Sequence, residues 1–216
     1  MIVCIESCIG GGKGFFIKYL STYAKWAWPD ATHAAILMDD SMVNMIEFSS
    51  DRARWAAFAL LSIFLRHAGA QASTEDIVFV EGSLFTDFRC AAKRWRAMGF
   101  LTPEEFDVLE DWYDVFAETA RCDAVVYLDN DVHTHFERIV NNSKREQAWI
   151  SVEHLIDMKR DYDATLSRFA DAPTLFLPCV ANFEDNEPEL MAMAETTIDF
   201  LRKIYLRRPA PDSAQS

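Results

Sequence analysis

The sequence is poor in positive charge, with 21 lysine and arginine residues against 34 aspartate and glutamate residues. The formal net charge of -13 and the pI near 4.7 argue against binding to nucleic acid or to anionic membranes. Such binding requires clustered lysine and arginine to neutralise phosphates. A small anionic substrate stays compatible with this charge, since a few focused cations can hold it.

The sequence also lacks long apolar runs and closely spaced cysteine pairs. The apolar stretch from Trp55 to Leu65 is too short for a membrane span, which needs roughly 18 residues. The five cysteines form no C-x-x-C motif and no metal-ligand spacing, which favours reduced thiols. Because the strand-like Met1 to Ile5 leaves no room for a signal or transit peptide, we expect a cytoplasmic protein.

Short apolar runs alternate with longer segments of helical periodicity, which predicts strands joined by crossover helices. Such a chain folds into an α/β domain, here with a five-stranded parallel sheet covered by helices on both faces. We expect one domain at residues 1–206 and a disordered tail at 207–216. The predicted strands are Ile2–Ile5, Ala34–Met38, Ile77–Val80, Ala124–Leu128 and Thr174–Leu177, and the helical segments are Val43–Arg66, Leu84–Met98, Glu104–Phe116 and Val152–Phe169.

Two of the helical segments carry start signals. Thr102 precedes Pro103 and two glutamates, the pattern of an N-cap followed by proline in the first turn. Ser151 stands in the equivalent place before the segment that begins at Val152.

Glycine is scarce, with seven residues, yet four of them fall between residues 10 and 14. The stretch ESCIGGGKGFF lies between a predicted strand and a predicted helix, as a phosphate-binding loop does. It departs from the pattern G-x-x-x-x-G-K-[ST], since Ser7 replaces the first glycine and Gly14 the hydroxyl residue. Backbone N–H groups bind phosphate without side chains, so we still expect Lys13 to meet a nucleotide's β- and γ-phosphates. A turn that merely needs glycine is the alternative.

Acidic residues follow three of the predicted strands. In an open parallel sheet, ligands bind beyond the carboxyl ends of the strands. Asp39 and Asp40 follow the second strand, Glu81 the third, and Asp129 and Asp131 the fourth. These positions indicate a site at that edge, although surface loops also collect acids. Without a hydroxyl at residue 14, Mg²⁺ would be held through water and carboxylates such as Glu81.

Several segments, in their order along the chain, resemble those of the deoxynucleoside kinase family. This family includes deoxycytidine, deoxyguanosine and mitochondrial thymidine kinases. "IESCIGGGKGFFIKYL" resembles the family's loop and first helix, and "FSSDRARWAAFALLSIFLR" its substrate-side helix. "VFVEGSLFTDF" resembles its E-R-S segment, "VVYLDNDVHTHFERIVNNSKREQAWISVEHL" its lid region, and "PTLFLPCVANFEDNEPEL" its last strand and loop. The resemblance implies a P-loop kinase fold with a short lid at about residues 141–149.

The resemblance also implies ATP-dependent phosphorylation of a deoxynucleoside at its 5′-hydroxyl, with Mg²⁺ as cofactor. Asp39 or Asp40 would take the proton from this hydroxyl, Glu81 would lie near the metal, and Arg138 would clamp the transferring phosphate. Asp87 would bind the base with support from Arg66. The implied ATP-binding residues are Cys8, Ile9, Gly10, Gly11, Gly12, Lys13, Gly14, Lys144 and Arg145, and the implied substrate-binding residues are Arg66, Asp87, Ser49 and Gln147.

Several positions depart from the family pattern, so that either the substrate differs or catalysis is weak. An alternative is therefore a kinase-shaped accessory subunit, like the one in mitochondrial respiratory complex I. The enzyme would form a homodimer through its long helices, and the subunit would join a larger complex. The departures are Gly82 for the arginine of E-R-S, Ala59 or Leu60 for a base-reading glutamine, Ser49 for a sugar-contacting tyrosine, Gln147 near a sugar-binding glutamate and Asn142 for a lid arginine.

Overall fold

The computed structural model describes residues 1–37, 43–142, 150–166, 172–179 and 186–207, without the side chains of residues 43–46 and 142. In these ranges the chain forms one parallel sheet of five strands, in the order β2-β3-β1-β4-β5. The predicted five-stranded sheet is thereby confirmed. The strands are β1 at Ile2–Glu6, β2 at His33–Ile36, β3 at Ile77–Glu81, β4 at Ala124–Asp129 and β5 at Thr174–Pro178.

Helices connect the strands. A π-helical segment at Asp87–Ala92 joins α4 to α5. The α-helices are α1 at Lys13–Ala27, α2 at Val43–Ser50, α3 at Arg52–Gln71, α4 at Leu84–Thr86, α5 at Lys93–Ala97, α6 at Pro103–Thr119, α7 at Val132–Asn142, α8 at Val152–Leu166 and α9 at Glu187–Tyr205. None of the helices in the described ranges is both long and apolar enough to cross a membrane.

The predicted single helix from Val43 to Arg66 was wrong, because two helices meet at Asp51. Asp51 has a non-helical backbone (φ -147°), and its carboxylate accepts a hydrogen bond from the N–H of Arg54 at 3.2 Å. This residue therefore caps α3, which continues to Gln71. The residues after Arg66 bring Ala70 into contact with the sheet.

Both predicted N-caps are confirmed. The N–H of Glu105 donates to Thr102 Oγ1 (3.1 Å), and Glu105 Oε2 accepts from the N–H of Thr102 (2.9 Å), which completes a capping box. The N–H of His154 donates to Ser151 Oγ (3.2 Å) at the start of α8. The predicted tail from residue 208 onward and most of the predicted lid lie outside the described residues.

The sheet is covered on both faces, as predicted. Successive side chains of a strand point to opposite faces. On one face, the odd-numbered residues of β1 pack with Phe16 of α1 in a core that α9 also lines. On the other face, Ile2 and Cys4 pack with Ala70 of α3. Burial on both faces explains why the strands read as unbroken apolar runs.

A second core fixes the position of the π-helical segment. Phe88, in its second position, is fully buried and stacks on Tyr113 of α6 with ring centroids 4.3 Å apart. The ring of Phe64 in α3 packs against the ring of Phe88, with centroids 6.5 Å apart. The segment is therefore held between α3 and α6, and its first residue, Asp87, is held with it.

Candidate active site

The glycine loop follows β1 and leads into α1. Gly10 and Gly12 have positive φ values of 81° and 83°, which only glycine adopts readily. A Cβ atom at Gly10 would lie 2.6 Å from the carbonyl oxygen of His135 in α7, so the helix also excludes any side chain there. His135 Nδ1 lies 2.9 Å from the carbonyl oxygen of Ile9 and ties the loop to α7.

Lys13, the first residue of α1, folds back over this loop. Its Nζ donates to the carbonyl oxygens of Ser7 (2.8 Å) and Cys8 (3.3 Å). An ammonium group has three N–H donors, so these bonds leave one for a ligand. The positive charge is thus held at the loop, beside the N-terminus of α1, where the helix dipole also favours an anion.

The serine at the start of the motif is accommodated by a glycine further along. Ser7 is fully buried, and a Cβ atom at Gly11 would lie only 1.8 Å from Ser7 Oγ. The hydroxymethyl group therefore occupies the space that a side chain at residue 11 would need. Ser7 can replace the usual glycine only because residue 11 is itself glycine.

The side chain of Cys8 faces the protein interior. It packs with Cys90, Met158 and Tyr162, and burial raises the pKa of its thiol to about 12. The thiol therefore stays protonated, so that residue 8 is available to a phosphate only through its backbone.

Glu81 lies beside the position where the motif lacks its hydroxyl. It ends β3, next to Ile5 of β1, and a Cβ atom at Gly14 would lie 3.4 Å from Glu81 Oε2. Across the described ranges, no group of three or more His, Cys, Asp or Glu residues is arranged to hold a metal ion. A single carboxylate could hold a magnesium ion only together with water, which Mg²⁺ usually keeps among its ligands.

Asp87 and Arg66, predicted to act together, lie in contact. Arg66 Nη2 donates to Asp87 Oδ2 at 3.1 Å, and His67 Nε2 lies 2.7 Å from the same oxygen. Burial alone raises the pKa of the Asp87 carboxyl, but the hydrogen bond from His67 and the charge of Arg66 lower this pKa below its usual value. The carboxylate is therefore ionised and acts only as an acceptor.

Gly82 borders the same carboxylate. Its φ is 77°, and a Cβ atom there would lie 3.5 Å from both oxygens of Asp87. An arginine at this position, as in the E-R-S motif, would need a strained backbone and would begin against the carboxylate. Glycine leaves the space beside Asp87 open.

Glu6 is a buried acid that sequence reasoning missed. It ends β1 directly before the loop, and Thr86 Oγ1 donates to its Oε1 at 2.8 Å. Its Oε2 has no hydrogen-bond partner among the described residues. Burial raises the pKa of Glu6 to about 7. The only sequence signal was a carboxylate at the end of an otherwise apolar strand.

Two of the remaining predicted residues have described positions. Arg138 is buried on α7, three residues after His135. Ser49 is half-buried in the last turn of α2. Outside the described residues lie Asp39, Asp40, Lys144, Arg145 and Gln147, so the proton acceptor and the lid cations stay predictions.

Comparisons with known proteins identify the family of this chain. A family model for deoxynucleoside kinases matches residues 3–201, nearly the whole chain. The chain is also 24% identical over 170 residues to "Putative kinase protein 029R" of Invertebrate iridescent virus 3. That match covers 77% of this chain and 83% of the viral protein. The predicted resemblance is confirmed, and with the parallel sheet so is the P-loop kinase fold.

The raised pKa of Glu6 predicts a pH-dependent stability. Because the folded-state pKa of about 7 lies above the ordinary value of 4.5, the folded chain keeps a proton that the unfolded chain releases between these values. The free energy of unfolding should therefore fall by roughly 3 kcal/mol from pH 4.5 to 7 through this group, and no further above pH 7. In Glu6→Gln this contribution is absent.

Urea unfolding of both proteins at pH 5 and pH 8 measures the difference. Subtracting the change between the two pH values in Glu6→Gln from the change in wild type removes the opposite contribution of His135, whose pKa burial lowers to about 4. Glu118→Gln, a change of an exposed carboxylate, controls for net charge. Parallel losses of stability in wild type and Glu6→Gln would contradict the assignment.

Proposed function

Since the chain belongs to the deoxynucleoside kinase family, we propose that it transfers the γ-phosphoryl group of ATP to the 5′-hydroxyl of a deoxynucleoside. The observation that carries this proposal is the arrangement of Lys13 over the glycine loop, with Glu81 beside the first turn of α1. Both groups lie where β1 and β3 end, and Asp87 follows β3 at the same edge. Phosphoryl transfer depends mainly on such positioning and on charge neutralisation.

In the proposed reaction the loop amides and Lys13 hold the β- and γ-phosphates. The 5′-oxygen of the nucleoside forms a bond to the γ-phosphorus, the bond to the β,γ-bridging oxygen breaks, and ADP leaves. Asp39 or Asp40 takes the hydroxyl proton, and Arg138 with Lys144 and Arg145 neutralises the transferring group. Bound Mg²⁺ would offset phosphate charge, with Glu81 holding it through water.

The ionised carboxylate of Asp87 favours a base that donates a hydrogen bond. An exocyclic amino group, as in deoxycytidine or deoxyadenosine, supplies such a donor. The space left open by Gly82 supports this assignment, since no side chain from residue 82 covers the carboxylate.

The second candidate is a kinase-shaped accessory subunit within a larger complex. Gly14 and Gly82 favour it, because they remove a metal-facing hydroxyl and an arginine that enzymes of the family carry. The retained contacts of Lys13 favour the enzyme. The enzyme would act in the cytoplasm, which agrees with five free cysteines.

Titration calorimetry with Mg²⁺·ATP, followed by a nucleoside panel assayed for 5′-monophosphate, tests the enzymatic proposal. We expect wild-type protein to bind ATP, and Lys13→Ala to weaken binding by roughly 100-fold, since it loses a charged contact to phosphate. Lys18→Ala, a change of an exposed lysine on the same helix, should bind normally. Folded protein that fails to bind millimolar ATP would refute the enzyme and leave the subunit.

Restoring the missing hydroxyl should improve catalysis. In Gly14→Ser the new Cβ atom would meet Glu81 Oε2 at 3.4 Å, so the side chain fits. The hydroxyl would add a ligand near the metal, and we expect kcat/KM for Mg²⁺·ATP to rise roughly tenfold, about 1.4 kcal/mol. Gly14→Ala adds the same carbon without the oxygen. Equal kinetics for the two variants would argue against a metal-facing role of residue 14.

Exposed apolar side chains on α3 and α6 support the proposed homodimer. Residues seven apart on α3 and three or four apart on α6 lie on one face of each helix. Aromatic packing between Phe64 and Phe116 places the two helices side by side. The exposed side chains are Phe58 (54%), Leu65 (70%), Val108 (56%), Trp112 (50%) and Val115 (69%). A second copy of the chain would bury this surface, which we call the α3–α6 face.

Charges placed on this face should disrupt the dimer. We expect light scattering after size exclusion to give a dimer for wild type and a monomer for Leu65→Glu/Val115→Glu, because burying the carboxylates costs several kcal/mol. Leu206→Glu, at a more exposed position after α9, should stay dimeric. A monomeric wild type at tens of micromolar would contradict the homodimer.

A further inference from the structure

The two oxygens of Asp87 have unequal surroundings. Oδ2 takes both described contacts, from Arg66 Nη2 (3.1 Å) and from His67 Nε2 (2.7 Å). Within the described part of the chain, Oδ1 has no hydrogen bond. The side chains of Arg66, His67 and Asp87 are only 6%, 8% and 11% exposed. The carboxylate is therefore buried, with both of its described contacts on one oxygen.

The ion pair between Arg66 and Asp87 is unusual because it has a single hydrogen bond. Arginine and carboxylate usually pair through two parallel hydrogen bonds. Here Nε and Nη1 of Arg66 are buried and lack a partner among the described residues, while Oδ1 is unused. His67 Nε2 also lies 2.7 Å from Oδ2, so Arg66 and His67 share this one oxygen of the carboxylate.

Two further features leave Oδ1 to a ligand. Gly82 places no side chain against the carboxylate, although a Cβ atom there would start 3.5 Å from each oxygen. Asp87 also opens the π-helical segment, a distortion of helical geometry that often occurs at functional sites. Asp87 is thus held in place by its contacts, and no side chain from residue 82 covers its Oδ1.

We propose that His67 is a positioning residue for base selection, which holds Asp87 so that Oδ1 accepts a hydrogen bond from an exocyclic amino group of the nucleoside base. This inference rests on the proposed function and adds a residue to it. His67 touches Asp87 rather than the substrate. It acts by preventing Asp87 and Arg66 from closing into a two-pronged pair that would consume the acceptor.

The variant His67→Leu distinguishes a positioning role of His67 from a purely structural one. Removing a merely structural histidine should destabilise the fold and lower the activity on every nucleoside alike. If His67 positions Asp87, its removal lets Arg66 take both oxygens, so the buried pair survives in another geometry. The fold should then be retained while discrimination between bases is lost.

Matched nucleosides that differ only by deamination provide the test. Deoxycytidine is compared with deoxyuridine, and deoxyadenosine with deoxyinosine, by steady-state kinetics at saturating Mg²⁺·ATP. We expect wild type to favour the amino member of at least one pair by roughly 10-fold to 100-fold in kcat/KM. In His67→Leu this ratio should approach one, through a higher KM for the amino member with little change in kcat.

Two further variants sharpen the result. His67→Gln keeps an N–H donor for Oδ2 and should recover part of the ratio. Gln71→Leu removes another hydrogen bond of α3, from Gln71 Nε2 to the carbonyl oxygen of Arg121 (3.0 Å), without touching Asp87. It should keep the wild-type ratio. Should His67→Leu fail to fold, the ratio of kcat/KM in His67→Gln is compared with that in Gln71→Leu. A lower ratio in His67→Gln alone supports the inference, and equal ratios overturn it.

The outcomes separate this inference from the proposed function. If wild type phosphorylates no nucleoside while it is folded, the proposed function fails and the inference fails with it. If wild type is active but shows no preference within either pair, or if His67→Leu keeps the wild-type ratio, the inference alone is overturned. A lost ratio with partial recovery in His67→Gln supports it.

Discussion

The bond between the ammonium of Lys13 and the carbonyl oxygen of Ser7, at 2.8 Å, is the interaction on which the site depends. It fixes a positive charge over the glycine loop at the central strand of the sheet. The loop lies between α7, which approaches Gly10 closely, and β3, whose last residue is Glu81. Of the groups proposed to touch phosphate or metal, Lys13 and Glu81 lie at this loop.

The departures from the usual motif are compensated unequally. Ser7 is matched by Gly11, because the hydroxymethyl group of one fills the space left by the other. Gly14 has no such partner, and Glu81 stands beside the place where a hydroxyl would be. The loop thus keeps glycines with positive φ at residues 10 and 12, while residue 14 offers no side-chain oxygen. We propose that backbone amides and one ammonium hold a triphosphate here, since backbone N–H groups bind phosphate in such loops.

Much of the fold could be predicted from the sequence, because strands buried on both faces read as unbroken apolar runs and helices as periodic ones. The break at Asp51 was missed, since its cap acts through one side-chain contact inside a continuous helical pattern. The pair of Arg66 and Asp87 came from the resemblance. Glu6 and His67 were not found, because a single buried polar residue has no periodicity, and its role depends on partners that are distant in sequence, such as Thr86 and Asp87.

The central claim is that the main chain of the loop and the ammonium of Lys13 hold a triphosphate without a hydroxyl at residue 14. The most direct measurement is an amide NMR titration of the ¹⁵N-labelled protein with ATP. We expect the N–H resonances of Gly10 to Lys13 to shift strongly and saturate, because these amides would hydrogen-bond to phosphate oxygens. A folded protein whose loop resonances stay unchanged at millimolar ATP would contradict it.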